Sequence, residues 1–179
     1  MYPFRIIEKY YDSRSRVYRI LVEHSRQVAD MAVDIAKGHP EMEADISFIE
    51  EAALLHDIGI ICCNATKIDC YGTFDYICHG YIGAEMLRAE GYPRHALVCE
   101  RHTGTGISLR MIEEQNLPLP RRDFMPVAIE EQIICFADKF FSKSKCDTKM
   151  GVDTIREELK KYGEDTIFRF NHWCKLFLE

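Results

Sequence analysis

The sequence predicts an all-α fold in a single domain, and three observations carry that reading. Apolar residues recur at three- and four-residue spacing along most of the chain, alternation of β-branched residues is nearly absent, and glycine and proline punctuate the periodic segments. The chain has 179 residues, 47% of them hydrophobic, which is the usual size of one domain and enough to bury a core. There is no repeat, linker or low-complexity tract, so residues 1–179 are read as one unit.

The elements follow in order. From Ser15 to Lys37, Val17, Ile20, Leu21, Val28, Met31, Ala32 and Ile35 form a helical stripe, which Gly38 and Pro40 stop. A second helix runs from Asp45, a good N-cap, through Ile46, Ile49, Ala52 and Ala53 to the pair His56-Asp57. Residues 59–78 have no clear period, and a loop of that length is characteristic of a functional rim or lid. Helices then cover Gly80 to Glu90, Pro93 to His102 and Ser108 to Gln115, with Gly91, Gly104 and Gly106 as breakers. After the loop "NLPLPRRDFMP", Pro126 opens a long helix expected to reach Lys145, with Val127, Ile134 and Phe141 on its buried side. Helices from Val152 to Tyr162 and from Glu164 to Leu178 close the chain.

The formal net charge is −6 and no block of Lys or Arg stands out, which argues against a nucleic-acid polymer as partner. A small anion remains compatible, since a few cations or a metal ion can hold it. The segment MYPFRIIEKYY lacks the apolar core of a secretory signal, and no apolar run of about 20 residues exists to span a membrane. The eight cysteines are scattered through predicted helices without a C-x₂-C pair, so reduced thiols in the cytoplasm are expected rather than disulfides or a zinc knot.

The chemistry lies in the histidines and aspartates. His24 sits three after Leu21 and four before Val28, on the buried stripe. His56 follows Ile49 and Ala53 inward, with Asp57 at the edge of the same face, His102 ends a helix that buries Val98, and Asp138 falls four after Ile134. Any one of these alone reads as a satisfied core residue. Together they bring carboxylates and imidazoles from four helices into one interior, where unpaired charge costs several kcal/mol. A central divalent transition metal resolves that cost, and imidazole with carboxylate suits Fe, Mn, Co, Ni or Zn, with Mg also admissible. His79 opens a helix where it can meet His102, so the set suits two ions sharing Asp57, an arrangement fitted to displacement at phosphorus. His39, His95 and His172 have no matching neighbours and are given no role.

An early His24, then His56-Asp57-Ile58-Gly59, then Asp138 in "CFADKF" resembles the signature of the HD superfamily of metal-dependent phosphohydrolases. The segments "CHGYIGAEMLRAEGYP" and "CERHTGTGIS" look like the H-G-x-x-G-A and R-H-x-x-x-G segments of small HDIG proteins. The likeness covers about residues 15–144, leaving 145–179 as C-terminal helices. It implies an HD-domain helical bundle with His24, His56, Asp57 and Asp138 on one metal ion, and His79 and His102 on a second, with Asp57 bridging. The chain departs from the branch that cleaves cyclic dinucleotides. Its "GYP" at 91–93 follows a helix away from the metal histidines, and the nearest lysine after the His-Asp pair is Lys67.

The expected function is hydrolysis of a nucleotide or other small phosphate ester by metal-activated water, with Asp57 and His56 as catalytic residues. Lys67, Arg101, Lys139 and Lys143 are candidates for holding the phosphate, and Arg121-Arg122 for the rim of an anion site, although a solvated surface cation is the ordinary role of each. Two other readings remain open: a non-catalytic HD module that binds metal or nucleotide and signals to a partner, and a di-iron oxygenase of HD type.

Overall fold

A computed structural model describes residues 2–144 and 148–179. Its helices are α1 (Pro3–Tyr10), α2 (Arg16–Gly38), α3 (Ile46–Leu55), α4 (His79–Ala89), α5 (Pro93–Arg101), α6 (Leu109–Glu114), α7 (Ile129–Asp138), α8 (Val152–Leu159) and α9 (Glu164–Leu178). The expected caps form: the Ser15 side chain accepts from the Tyr18 N–H and the Asp45 side chain from the Phe48 N–H, each satisfying a donor at a helix start. Residues 59–78 are not one open loop. They hold 3₁₀ turns at Ile58–Cys62, Thr66–Ile68 and Tyr76–Cys78, and a hairpin in which β1 (Asn64–Ala65) pairs antiparallel with β2 (Cys70–Tyr71).

Two expectations need correction. The N-terminal segment, to which periodicity assigns no element, forms α1, with Pro3 in its first turn and Ile6 and Ile7 buried. The long helix expected from Pro126 to Lys145 is only α7. It starts late because the Val127 N–H donates to Glu131 Oε2 (2.7 Å) while Ala128 stays extended. It ends at Asp138 because the Lys139 and Phe140 N–H groups turn back to the carbonyls of Phe136 and Ala137. Val127, expected on the buried side, is 70% exposed. Lys145 and Cys146 lie outside the described residues. The seven described cysteines are all unpaired, and among the described residues no helix is long and apolar enough to cross a membrane.

The apolar side chains gather into two main clusters. One joins α2, α3, α7 and α9 through Val28, Ile49, Ile133, Phe136, Phe170 and Trp173. The other joins α1, the first two turns of α2, the end of α3, the 58–62 turn, α4 and α5 through Ile7, Leu21, Leu55, Ile58, Leu87 and Cys99. Helices α2 and α3 pass through both, so His24 lies between Leu21 of one cluster and Val28 of the other. The seam between the cores is where the polar residues meet.

Gly59 shows how tightly the second cluster is built. A Cβ there would stand 2.2 Å from the His79 carbonyl oxygen and 2.5 Å from the Gly83 nitrogen, both backbone atoms of α4. Gly59→Ala is therefore expected to cost about 1–3 kcal/mol or more of folding stability through overpacking. Urea denaturation checks this, and a change below about 0.5 kcal/mol would show that α4 yields freely.

Candidate metal centre

Each polar residue reaches the seam by a local device. His24 projects from the middle of α2. His56 follows the last residue of α3, and its Nδ1–H donates to the Ala53 carbonyl (2.6 Å). His79, at the start of α4, and His102, just after α5, donate in the same way to the carbonyls of Tyr76 (2.6 Å) and Cys99 (2.7 Å). A backbone carbonyl can only accept, so in all three rings Nδ1 carries a proton; Nε2 of His79 and His102 then presents a bare lone pair inward, and Nε2 of His56 does so once that ring loses its second proton. These carbonyls orient the rings as outer partners orient metal-binding histidines.

The inward atoms form two overlapping groups, His24, His56, Asp57 and Asp138, and Asp57, His79 and His102. Asp57 belongs to both and divides its oxygens between them. Its Oδ2 lies 3.2 Å from His24 Nε2 and 3.1 Å from His56 Nε2, while its Oδ1 lies 3.3 Å from each Nε2 of His79 and His102. Asp138 Oδ1 closes the first group, 3.0 Å from His24 Nε2 and 3.5 Å from His56 Nε2. All of these side chains are buried, Asp57, His24 and His56 completely.

The donor set fits divalent cations on its own chemistry. The Nε2 atoms of His24 and His56 and both oxygens of Asp57 are buried without an aligned hydrogen bond. The Nε2 atoms of His79 and His102 face each other at 3.0 Å. Burial lowers the pKa of both rings, His79 to about 3 against the opposing pull of Asp57, so neither ring carries a second proton near neutral pH. Two neutral lone pairs that close repel unless a cation stands beside them. The ligand types suit transition metals better than a closed thiolate site.

Electrostatics around the carboxylates agree. Burial opposes their ionisation, yet Lys143 and His56 hold Asp57 well below the usual carboxylate range, and Lys139 and Lys143 do the same for Asp138. Lys143 Nζ lies 2.6 Å from Asp57 Oδ2, and Lys139 Nζ lies 2.8 Å from Asp138 Oδ2 and 3.3 Å from the His102 carbonyl oxygen. Burial disfavours the charged form of His56, but Asp57 and Asp138 outweigh it and raise the ring to about 9.

The HD domain family matches residues 21–142 of this chain. The chain belongs to the HD domain family. HD domains bind divalent metals, and the paired His-Asp cluster is where this one can hold them. An uncharacterized protein of Methanocaldococcus jannaschii is 33% identical over 147 residues, which cover 79% of this chain and 76% of that protein. Two proteins named tRNA (cytidine(56)-2'-O)-methyltransferase are also similar. The one from Thermoplasma volcanium is 36% identical over 144 residues, 80% of this chain and 37% of that protein. The one from Picrophilus torridus is 34% identical over 127 residues, 70% of this chain and 33% of that protein. No solved structure gave a significant match.

The structure thus brings together the six residues that the HD resemblance nominates as ligands, and it sorts the candidate phosphate-binding cations. Lys139 and Lys143 touch the cluster. Lys67 is exposed on the 66–68 turn, and Arg101 is engaged with the buried Glu131 through Nη1 (3.0 and 3.1 Å). Arg122 pairs with the buried Glu100 (2.9 Å), and Arg121 is exposed beside Glu113. Two residues escaped the sequence reading. Tyr76 stacks on the His79 ring at 4.6 Å and lies under Lys143. Cys99 donates its thiol hydrogen to the His56 carbonyl (2.9 Å) and accepts from His102 through its own. Spacing held a faint signal for both, since Tyr76 and Cys99 each stand three residues before a histidine.

With His56 titrating at about 9, an incoming cation must displace its proton at neutral pH. Apparent metal affinity should therefore rise as pH goes from 7 to 9, by up to about tenfold per unit, and level off above. Calorimetry in buffers of different ionisation enthalpy measures both the affinity and the protons released. A pH-independent affinity without proton release would mean that His56 is already neutral.

Proposed function

We propose that this protein is a metal-dependent phosphohydrolase acting on a nucleotide or another small phosphate ester. The observation that carries the reading is the division of Asp57 between two histidine pairs, with a lysine on each carboxylate of the cluster. A divalent ion held there supplies a Lewis acid and activates water near neutral pH. His24, His56, Asp57 and Asp138 would hold one ion, and Asp57, His79 and His102 a second.

The chain's own residues then define the substrate. Asp57 and Asp138 balance Lys139 and Lys143 in charge, so every divalent ion added leaves the centre net positive and receptive to an anion. Lys143 and Lys139 stand at the carboxylate oxygens, where each can turn its ammonium to a phosphate oxygen and orient the ester in line. Asp57, reaching both halves of the centre, is placed to orient the attacking water. The methyl transfer named in two relatives is not carried over, because this chain spans only 37% and 33% of those proteins. Its net charge of −6 also disfavours a polyanionic partner such as tRNA.

Protein purified without chelator should carry about one to two equivalents of transition metal. It should then hydrolyse members of a panel of nucleotides, dinucleoside polyphosphates and sugar phosphates with Mn, Fe, Co or Mg. Asp57→Ala should abolish metal binding and hydrolysis together, and retained turnover would remove Asp57 from the chemistry. Oxygen uptake without phosphate release would instead favour the di-iron oxygenase reading.

Lys143→Met separates substrate binding from metal binding. It should reduce kcat/KM about 10- to 100-fold, the loss of a charge-assisted hydrogen bond of about 1.5–3 kcal/mol, with metal content unchanged. Unchanged steady-state kinetics would assign Lys143 to stability alone.

A further inference from the structure

The 58–62 turn connects the two halves of the centre. It begins directly after Asp57, and its Gly59 packs against the backbone of His79 and Gly83. The turn closes part of its own hydrogen bonding, with the Ile60 N–H on the Asp57 carbonyl and the Cys63 N–H on the Ile60 carbonyl. The Ile58 carbonyl and the Ile61 N–H, three residues apart inside the turn, are also both met from outside by one atom. Tyr11, just past α1 and only 3% exposed, donates its hydroxyl to the Ile58 oxygen (2.7 Å) and accepts from the Ile61 N–H (3.1 Å).

That hydroxyl therefore clamps the turn on one side while α4 bears on the other. The other side groups of the centre are held separately. His24 is fixed within α2, His56 by the Ala53 carbonyl, and Asp138 by α7. A shift of the turn thus moves Asp57 and the start of α4; the first group keeps His24, His56 and Asp138, held elsewhere, whereas the second keeps only His102. Tyr11 lies ahead of residues 21–142, the part matched by the HD domain family.

We propose that Tyr11 is a positioning residue that sets the Asp57–His79–His102 half of the centre by pinning the 58–62 turn. The proposal rests on reading the cluster as a metal centre. It requires that α1, outside the matched family segment, determine the occupancy of one half of the site.

The test is Mn²⁺ titration of the full chain after chelator treatment and dialysis, by calorimetry and by electron paramagnetic resonance. Wild type is expected to bind in two steps and to give an exchange-coupled two-ion signal. Tyr11→Phe keeps the ring and removes the hydroxyl. It should weaken one step at least about tenfold, leave the other within about threefold, and diminish the coupled signal. Ile7→Val loosens the same apolar cluster with the hydroxyl intact, and should lower the melting temperature while leaving both steps unchanged. Should Tyr11→Phe not fold, 3,5-difluorotyrosine at position 11, a stronger donor and poorer acceptor of similar shape, should alter the same single step. Parallel weakening of both steps, equal effects of Ile7→Val, or no effect of the hydroxyl would overturn the positioning role. Wild type that binds neither Mn²⁺ nor any other transition metal would overturn the metal centre itself and the proposal with it.

Discussion

The structure depends on the complete burial of the Asp57 carboxylate, with each oxygen set against a different pair of imidazole nitrogens. A charge removed from water costs several kcal/mol unless it is compensated on site. Lys143 and His56 provide compensation within the chain, and the Nε2 atoms of His79 and His102 stand at the other oxygen. The helices are arranged so that these donors converge, which explains why polar residues stand on the apolar stripes of α2 and α7. Without such convergence each would be a defect in the core. With it, they become a donor set suited to cations.

Two apolar cores rather than one make this arrangement stable. The α2–α3–α7–α9 cluster fixes His24, His56 and Asp138 through close-packed neighbours such as Val28, Ala53 and Ile134. The cluster around Leu21, Leu55, Ile58 and Leu87 fixes the turn after Asp57 and the glycine-lined contact of that turn with α4. Close-packed interiors transmit small displacements and admit little slack, so ligands anchored in separate cores keep their spacing. The backbone adds a finer adjustment. Carbonyls of Ala53, Tyr76 and Cys99 set the histidine tautomers, and Cys99 links two of those histidines through one residue.

The cations outside the centre divide by what surrounds them. Arg88 and Arg122 both close on Glu100, and Arg101 on Glu131, where buried carboxylates hold α4, α5, α7 and the 116–128 loop together. Lys139 and Lys143 instead face the carboxylates of the centre. Composition does not separate these groups, since all are basic residues. Their difference is the identity of the carboxylate each meets, and that is set by packing.

By itself the sequence determined the helical class, most helix positions and the inward set His24, His56, Asp57, His79, His102 and Asp138. Helical periodicity and capping are local, and a polar residue on an apolar stripe is visible at a spacing of three or four. Three features were decided only by the tertiary structure: the early end of α7, the placing of Lys139 and Lys143 beside Asp138 and Asp57 while Arg101 meets Glu131, and the clamp of Tyr11 on the 58–62 turn. Each depends on contacts between residues distant in the chain or on backbone groups that carry no sequence signature. Tyr11 and Ile58 are 47 residues apart, and no local pattern relates a phenol after one helix to a carbonyl after another. The Nε2 atoms of His79 and His102 likewise become neighbours only when α4 packs on α5, which is why the sharing of Asp57 was an inference from residue types before it was a distance.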